Sequence, residues 1–305
     1  MIDRPHGVGG QATPARGLSS YVERHFVPAL IAPAIAILLA VTGVPLLIGF
    51  LLSFTDTSLL RPGEWQPVGL GNYATLFEDP KLPSVLRNTI ALVTAIVVIE
   101  TGTGLVLALL LERKIRGIGL VRSIYFLPLM TTSIVVVITW RALFNANSGW
   151  INYFLGLVGL PEPNWLGDPD IALWSITLAD VWVGTPFMAI LILAGLLAVS
   201  QELKEAAAVD GASSLRVFRH ITLPAIGPIL AIAILFRTVD AFRKFESVSV
   251  MTGGGPGDAT TILNLYVYQV SFLFYKLGYG ATLAIVLVAM MGVAATVIYR
   301  RTVRT

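Results

Sequence analysis

Residues 201–224 read QELKEAAAVDGASSLRVFRHITLP and interrupt two long apolar runs. The stretch is polar and carries Glu202, Lys204, Glu205, Asp210, Arg216, Arg219 and His220. Ser200 offers a hydroxyl N-cap, and Glu202 and Glu205 place negative charge near a first turn, where the helix dipole favours it. Leu203 to Val209 therefore reads as a short helix. Gly211 can adopt the left-handed backbone that ends one. Leu215, Phe218 and Ile221 recur every three residues, which suits a second short helix with one apolar side. Pro224 restarts the chain as the next apolar run begins. The expectation is a helix, a glycine elbow and a second helix forming a polar knob. On polarity alone, an ordinary loop is the plainer reading.

The flanking chain is that of a membrane protein. Of 305 residues, 55% are hydrophobic and only 13% are charged, whereas a soluble domain has about 25% charged residues. The mean hydropathy is +0.79. Six apolar runs are each long enough to cross a bilayer at about 1.5 Å per residue. They cover about 27–54, with Pro33 and Pro45 as expected kinks, then 86–111, 120–144 with Pro128, 171–199 with Pro186, 225–250 and 278–299. The gaps leave no room for a soluble domain. Residues 1–25 contain Gly, Pro and charges without an apolar core, so a cytoplasmic tail, helical near Ser20 to His25, is expected rather than a cleaved signal. Residues 26–305 form the membrane domain. The absence of cysteine excludes disulfides, thiolate metal sites and cysteine nucleophiles.

Lys and Arg set the orientation. Thirteen of the 21 cations lie in the tails and in the loops on the side of residues 201–224: Arg4, Arg16, Arg24, Arg113, Lys114, Arg116, Arg122, Lys204, Arg216, Arg219, Arg300, Arg301 and Arg304. The opposite loops hold Arg61, Lys81, Arg87 and Lys276. Arg141, Arg237, Arg243 and Lys244 lie within or at the ends of spans. The positive-inside rule then places both termini and the 201–224 knob in the cytoplasm of a multi-pass plasma-membrane protein.

The outer loops are short and rich in turn residues. Trp65, Tyr73 and Phe77 in the first, and Trp150, Tyr153 and Trp165 in the second, suit an interfacial aromatic belt, with docking of another protein as the alternative for the second loop. Gly253-Gly254-Gly255-Pro256-Gly257 is not a phosphate loop, because no Gly-Lys-Ser/Thr follows. His6, His25 and His220 are scattered and make no metal site. No nucleophile, base and orienting acid assemble, so no catalytic residue is assigned. Any ATP used in the protein's work would be hydrolysed by another subunit.

Polar groups inside spans usually face a cavity or a partner. Glu100 sits in the second run and Asp180 in the fourth. Asp180, Val183, Gly184 and Phe187 share one helical face by spacing. An acid, a gap and an aromatic ring suit a sugar site, and a helix–helix contact at Gly184 suits the same spacing equally. In the fifth run, Phe236, Arg237, Asp240, Arg243, Lys244 and Glu246 crowd together. Arg237 with Asp240, and Asp240 with Lys244, can form internal ion pairs, with a structural lock between helices as the alternative to a binding role.

The knob carries a recognisable pattern. Glu205-Ala206-Ala207, Gly211, Ile221 and Leu223-Pro224, with Asp210 before the glycine, resemble the EAA loop of ABC importer permeases, at that family's spacing. Asp180 to Phe187, the knob, and Phe236-Arg237-x-x-Asp240 followed by Met251-Thr252-Gly253-Gly254 look like the maltose-type permeases of carbohydrate importers. The fifth-run charges are similar to the first permease of actinobacterial trehalose-type importers. The resemblance implies an all-α membrane protein with six transmembrane helices in the type I importer permease fold. It implies a second permease of a different chain, two ATPase subunits that use ATP and Mg, and an extracytoplasmic substrate-binding protein, with no nucleic acid. This chain itself would need no cofactor. The resemblance also implies sugar binding by positions matching Asp180, Val183, Gly184, Phe187, Phe236, Arg237 and Asp240. The family has amides where this chain has Asp180, Arg237 and Asp240. Glycerol phosphate or another polar solute is the alternative cargo, with Arg237, Arg243 and Lys244 as anion partners. An ion-coupled secondary transporter, working through Asp180 or Glu100, is the alternative mechanism.

Overall fold

The computed structural model describes residues 28, 30–113 and 115–303. The N-terminal tail, Lys114 and Arg304 of the charge count lie outside them. The chain divides at Leu51/Leu52 into two compact units.

The first unit contributes the helix Leu30–Leu52. It contains a π turn at Leu39–Gly43, where the Val44 amide donates to the Leu39 carbonyl. Pro45 follows two residues later. A proline removes one helical donor, and a π turn is one way for a helix to absorb the loss.

In the second unit, long apolar helices cover Leu82–Leu111, Ala172–Ala198, Ser214–Phe242 and Leu277–Val303. The first two pack along their length. A Cβ on Gly104 would sit 2.8 Å from the Met188 Cβ, so the glycine lets the two backbones approach. Leu92, Ile96, Ile176, Phe144, Phe242 and Val248 fill one core at the end away from the knob, and Leu111, Met188, Ile192, Leu196 and Ile226 fill another toward it. Helices in lipid gain little from hydrophobicity against one another, so this close packing is the main attraction.

Two expected spans take a different form. The third run is not one kinked helix: Ile118–Met130 and Ser133–Leu143 meet at 94°. Pro128 lies in a 3-10 turn, and Thr131 and Thr132 are extended, so the chain turns instead of continuing. The fifth helix begins at Ser214, within the knob, and ends at Phe242. Pro224 does not restart the chain. It lies inside a continuous helix, two residues beyond a π turn at Phe218–Thr222, the arrangement already seen at Pro45. Residues 245–251 form a separate short helix, Phe245–Met251. With the bent pair counted as one, the spans number up to six among the described residues.

The loops read as outer are more structured than turns alone. Trp150–Leu157 and Leu263–Tyr268 are helical. Trp150 and Tyr153 are exposed as a belt requires, but Trp165 turns inward. Its Nε1 donates to Asn152 Oδ1 at 2.7 Å, and its ring packs 5.4 Å from that of Phe144. The glycine-rich loop closes on itself: Thr260 and Thr261 donate to the Gly255 and Gly254 carbonyls, so it offers no phosphate cradle. Asn88 donates to the Asp258 and Thr261 carbonyls and fastens this loop to the Leu82–Leu111 helix.

Candidate functional site: a buried ionic cluster and a polar knob

The knob forms as its residues dictate. Gln201–Val209 is helical, and Gly211 has φ +78°. The Ala212 amide donates to the Ala207 carbonyl at 2.9 Å and the Gly211 amide to the Ala208 carbonyl at 3.1 Å, closing the helix end. Ser200 makes no side-chain cap bond, so the first turn starts without the expected hydroxyl. Glu205 accepts from Gln201 Nε2 at 3.1 Å and faces solvent with Ala206 and Asp210. Ala207, Ile221 and Leu223 are half-buried and Pro224 is exposed. Lys204 pairs with Glu112 at 2.5 Å and ties the knob to the end of the Leu82–Leu111 helix. Arg122 Nη2 donates to the Leu111 carbonyl at that same end, at 2.6 Å. Val209, 87% exposed, and Leu215, 74% exposed, leave the knob with uncovered apolar tips.

The second feature lies where three long helices meet. Arg237 is buried and grips three carboxylates. Its Nε and Nη2 go to the two oxygens of Glu100, Nη2 also reaches Asp180 Oδ2 at 2.5 Å, and Nη1 reaches Asp240 Oδ2. Lys244 adds a second cation, 2.9 Å from Asp180 Oδ1 and 3.0 Å from Asp240 Oδ2. Three carboxylates against two cations leave one negative charge. The planar guanidinium suits this role, because its fixed fork can serve several carboxylates at once.

Burial is uneven across the cluster. The side chain of Glu100 is 0% exposed and that of Asp180 3%, whereas that of Asp240 is 51% exposed. Asp240 is therefore where the cluster's charge meets the outside. Gly184 explains how the cluster fits: a Cβ there would lie 2.3 Å from Glu100 Oε1 and 2.5 Å from Arg237 Nη2.

Beside the cluster is a cavity of about 270 Å³. Asp180, Val183 and Asp240 line it together with Arg243, Lys244 and Glu246. Ser133, Val136 and Val137 of the bent third span form another wall, so the 94° turn helps to shape it. Of the seven positions singled out from the sequence, Gly184 and Arg237 do not line this cavity; they lie in the ionic cluster behind it. Phe187 and Phe236 are exposed elsewhere on the single subunit, and the cavity's apolar surface comes from the valines and Phe245. Sequence reading did not join Glu100 to Arg237, its partner 137 positions away. The signal available was an acid alone in an apolar run.

A polytopic helical chain with a charged cavity and a polar knob at one end has the build of a membrane transport subunit. The chain belongs to the family described as binding-protein-dependent transport system inner membrane component, whose model matches residues 100–304. It is 37% identical to the trehalose/maltose transport system permease protein MalF of Thermococcus litoralis over 272 residues, covering 88% of this chain and 90% of that one. It is 34% identical to the trehalose transport system permease protein SugA of Mycobacterium tuberculosis over 277 residues, covering 91% and 88%. Its fold matches a subunit of a solved bacterial ABC transporter involved in the import of the acidic polysaccharide alginate, with TM-score 0.80, 21% identity, and coverage of 94% and 98%.

Proposed function

We propose that this permease moves a neutral di- or oligosaccharide, such as trehalose or maltose, into the cytoplasm by alternating access driven by ATP. The observation that carries this reading is the state of the cavity's charges. Carboxylates at the cavity can accept sugar hydroxyls strongly. The cations that an anionic cargo would need are already engaged: Arg237 serves three carboxylates and Lys244 two. Exposed Arg243 is the one cavity-lining cation outside the ion pairs among the described residues, which is weak provision for glycerol phosphate or another anion. The names of the two relatives, a trehalose/maltose and a trehalose permease, support the same substrate class.

In this reading Asp180, Val183, Gly184, Arg237 and Asp240 build the sugar site. Phe187 and Phe236, exposed on the single subunit, are available to wall a larger cavity closed by a second permease. Glu205 to Gly211, with Ile221, Leu223 and Pro224, form the coupling element. Its apolar tips at Val209 and Leu215 would seat in a groove of one of two ATPase subunits, which bind ATP and Mg. A binding protein delivers sugar from outside, and both termini lie in the cytoplasm as the cation asymmetry predicts. An ion-coupled carrier is disfavoured, because the chain's family is described as a component of binding-protein-dependent transport systems.

The test is to purify the chain with its neighbouring subunits and screen sugars, each with the binding protein, for stimulation of ATPase activity. Stimulation by a neutral disaccharide is expected. Stimulation by glycerol phosphate alone, or uptake that survives ATP removal and collapses with the proton gradient, would overturn the reading.

A further inference from the structure

Glu100 carries no role in the sugar-contacting set, yet it is the most buried acid of the cluster and touches no cavity surface. Both of its oxygens accept from Arg237. This two-point grip fixes the plane of the guanidinium, which a single contact would leave free to rotate. The remaining Nη1 edge then points to Asp240 on the same helix, three residues on. Asp240, which Lys244 also holds, is the half-exposed carboxylate of the cluster and lines the cavity together with the buried Asp180. Gly184 preserves the space that the Glu100–Arg237 fork occupies.

From this chain of contacts we infer that Glu100 is a positioning residue for substrate selection: its fork on Arg237 sets where the Asp240 carboxylate stands at the cavity. The inference rests on the sugar reading above. A hydroxyl bonded by a carboxylate held in one place is distinguished sharply from a missing hydroxyl, because the analogue lacking it leaves the carboxylate unpaired. A carboxylate free to wander finds another partner and distinguishes poorly. Two other arrangements would also satisfy Arg237: a pure helix lock, or a lock that happens to adjoin the cavity. Neither requires Glu100 to influence which hydroxyl is read.

The experiment uses the complete importer, with both permeases, the ATPase pair and the binding protein, in proteoliposomes. Uptake of trehalose is compared with that of its monodeoxy analogues. The binding protein's own preference is common to all variants and cancels when discrimination ratios are compared. Glu100→Gln leaves Arg237 two carboxylates, so assembly is expected to survive. For at least one analogue, the ratio of trehalose to analogue uptake should fall about tenfold from wild type, the scale of one charged hydrogen bond. Glu100→Asp keeps the charge on a shorter stem and should fall between the two. Gly184→Ala displaces the fork without changing any charge and should lower the same ratio, which keeps the test decisive if Glu100→Gln fails to assemble. Variants that lose uptake of trehalose and every analogue equally, with unchanged ratios, would show a lock only and overturn the inference. A wild-type complex that imports an anion and no sugar would instead refute the sugar reading, and the inference would fall with it.

Discussion

Arg237→Gln should be the most damaging single neutralisation in this protein. Glu100, with a side chain 0% exposed, has Arg237 as its ion-pair partner among the described residues. Removing the guanidinium leaves Glu100 buried without a cation, and leaves Asp180 and Asp240 sharing Lys244 alone. Stranding one member of a buried pair costs about 3–5 kcal/mol. Asp240→Asn is a different case. Arg237 keeps Glu100 and Asp180, Lys244 keeps Asp180, and the side chain removed from the ionic cluster is 51% exposed. Its cost should stay below about 1 kcal/mol, the range of exposed ion pairs. Glu100→Gln combined with Arg237→Gln removes the most deeply buried partners together and should recover most of the loss. The assay is the thermal midpoint of the purified complex followed by size-exclusion chromatography. Arg237→Gln should lower it by on the order of 10 °C, or abolish assembly, while Asp240→Asn shifts it by a few degrees at most. Equal midpoints for the two single variants would refute this distribution of charge and burial.

Three further outcomes follow from other parts of the molecule. Gly211→Val places a β-branched residue at φ +78°, with open space around its Cβ, so the cost is conformational, about 1–2 kcal/mol within the knob; the variant should insert and bind the ATPase but lose uptake, and wild-type uptake would exclude a coupling role. In this cysteine-free chain, Trp150→Cys should react with a membrane-impermeant thiol reagent in intact cells and Ser213→Cys should not; labelling at 213 would reverse the orientation. Burial raises the Asp79 carboxyl, but hydrogen bonds from Tyr279, Tyr266 and the Lys81 and Leu82 amides outweigh it and hold the group below the usual carboxylate range. A depressed folded pKa contributes stability above the unfolded value that is lost as pH falls through the folded one. The stability gap between wild type and Asp79→Asn should therefore be constant above about pH 5 and shrink in stronger acid, and a gap that widens in acid would contradict the assignment.

The parts of this structure that were legible in sequence are those set by neighbours along the chain. Gly211 after a polar helical stretch announced its left-handed turn, and the acids and cations of 237–244 announced pairing at helical spacing. The bend at Thr131 and Thr132 was hidden, because Thr131, Thr132 and Ser133 lower the hydropathy of the run too little to mark a break, and hydropathy does not record direction. Pro224 misled for a related reason: a proline marks either a helix start or an interior π turn, and local pattern does not separate them. The partnership of Glu100 with Arg237 could not be read, since it depends on which faces of the Leu82–Leu111 and Ser214–Phe242 helices meet. The sequence placed Phe187 and Phe236 beside the acids, but only the helix packing shows that the valines wall the subunit's own cavity.

The helix Ser214–Phe242 starts in the knob and carries Arg237 and Asp240 near its other end. The 23 residues from Ser214 to Arg237 span about 35 Å at about 1.5 Å each. Such a rod is a lever arm: a tilt of roughly 5° about its knob end sweeps the far end through about 3 Å, the length of one hydrogen bond. A push on the knob would therefore reach the cavity-lining Asp240 carboxylate through one continuous mechanical member, without a relay of intervening loops. The π turn at Phe218–Thr222 is the natural place for that lever to yield, and stiffening it would trade compliance for stroke.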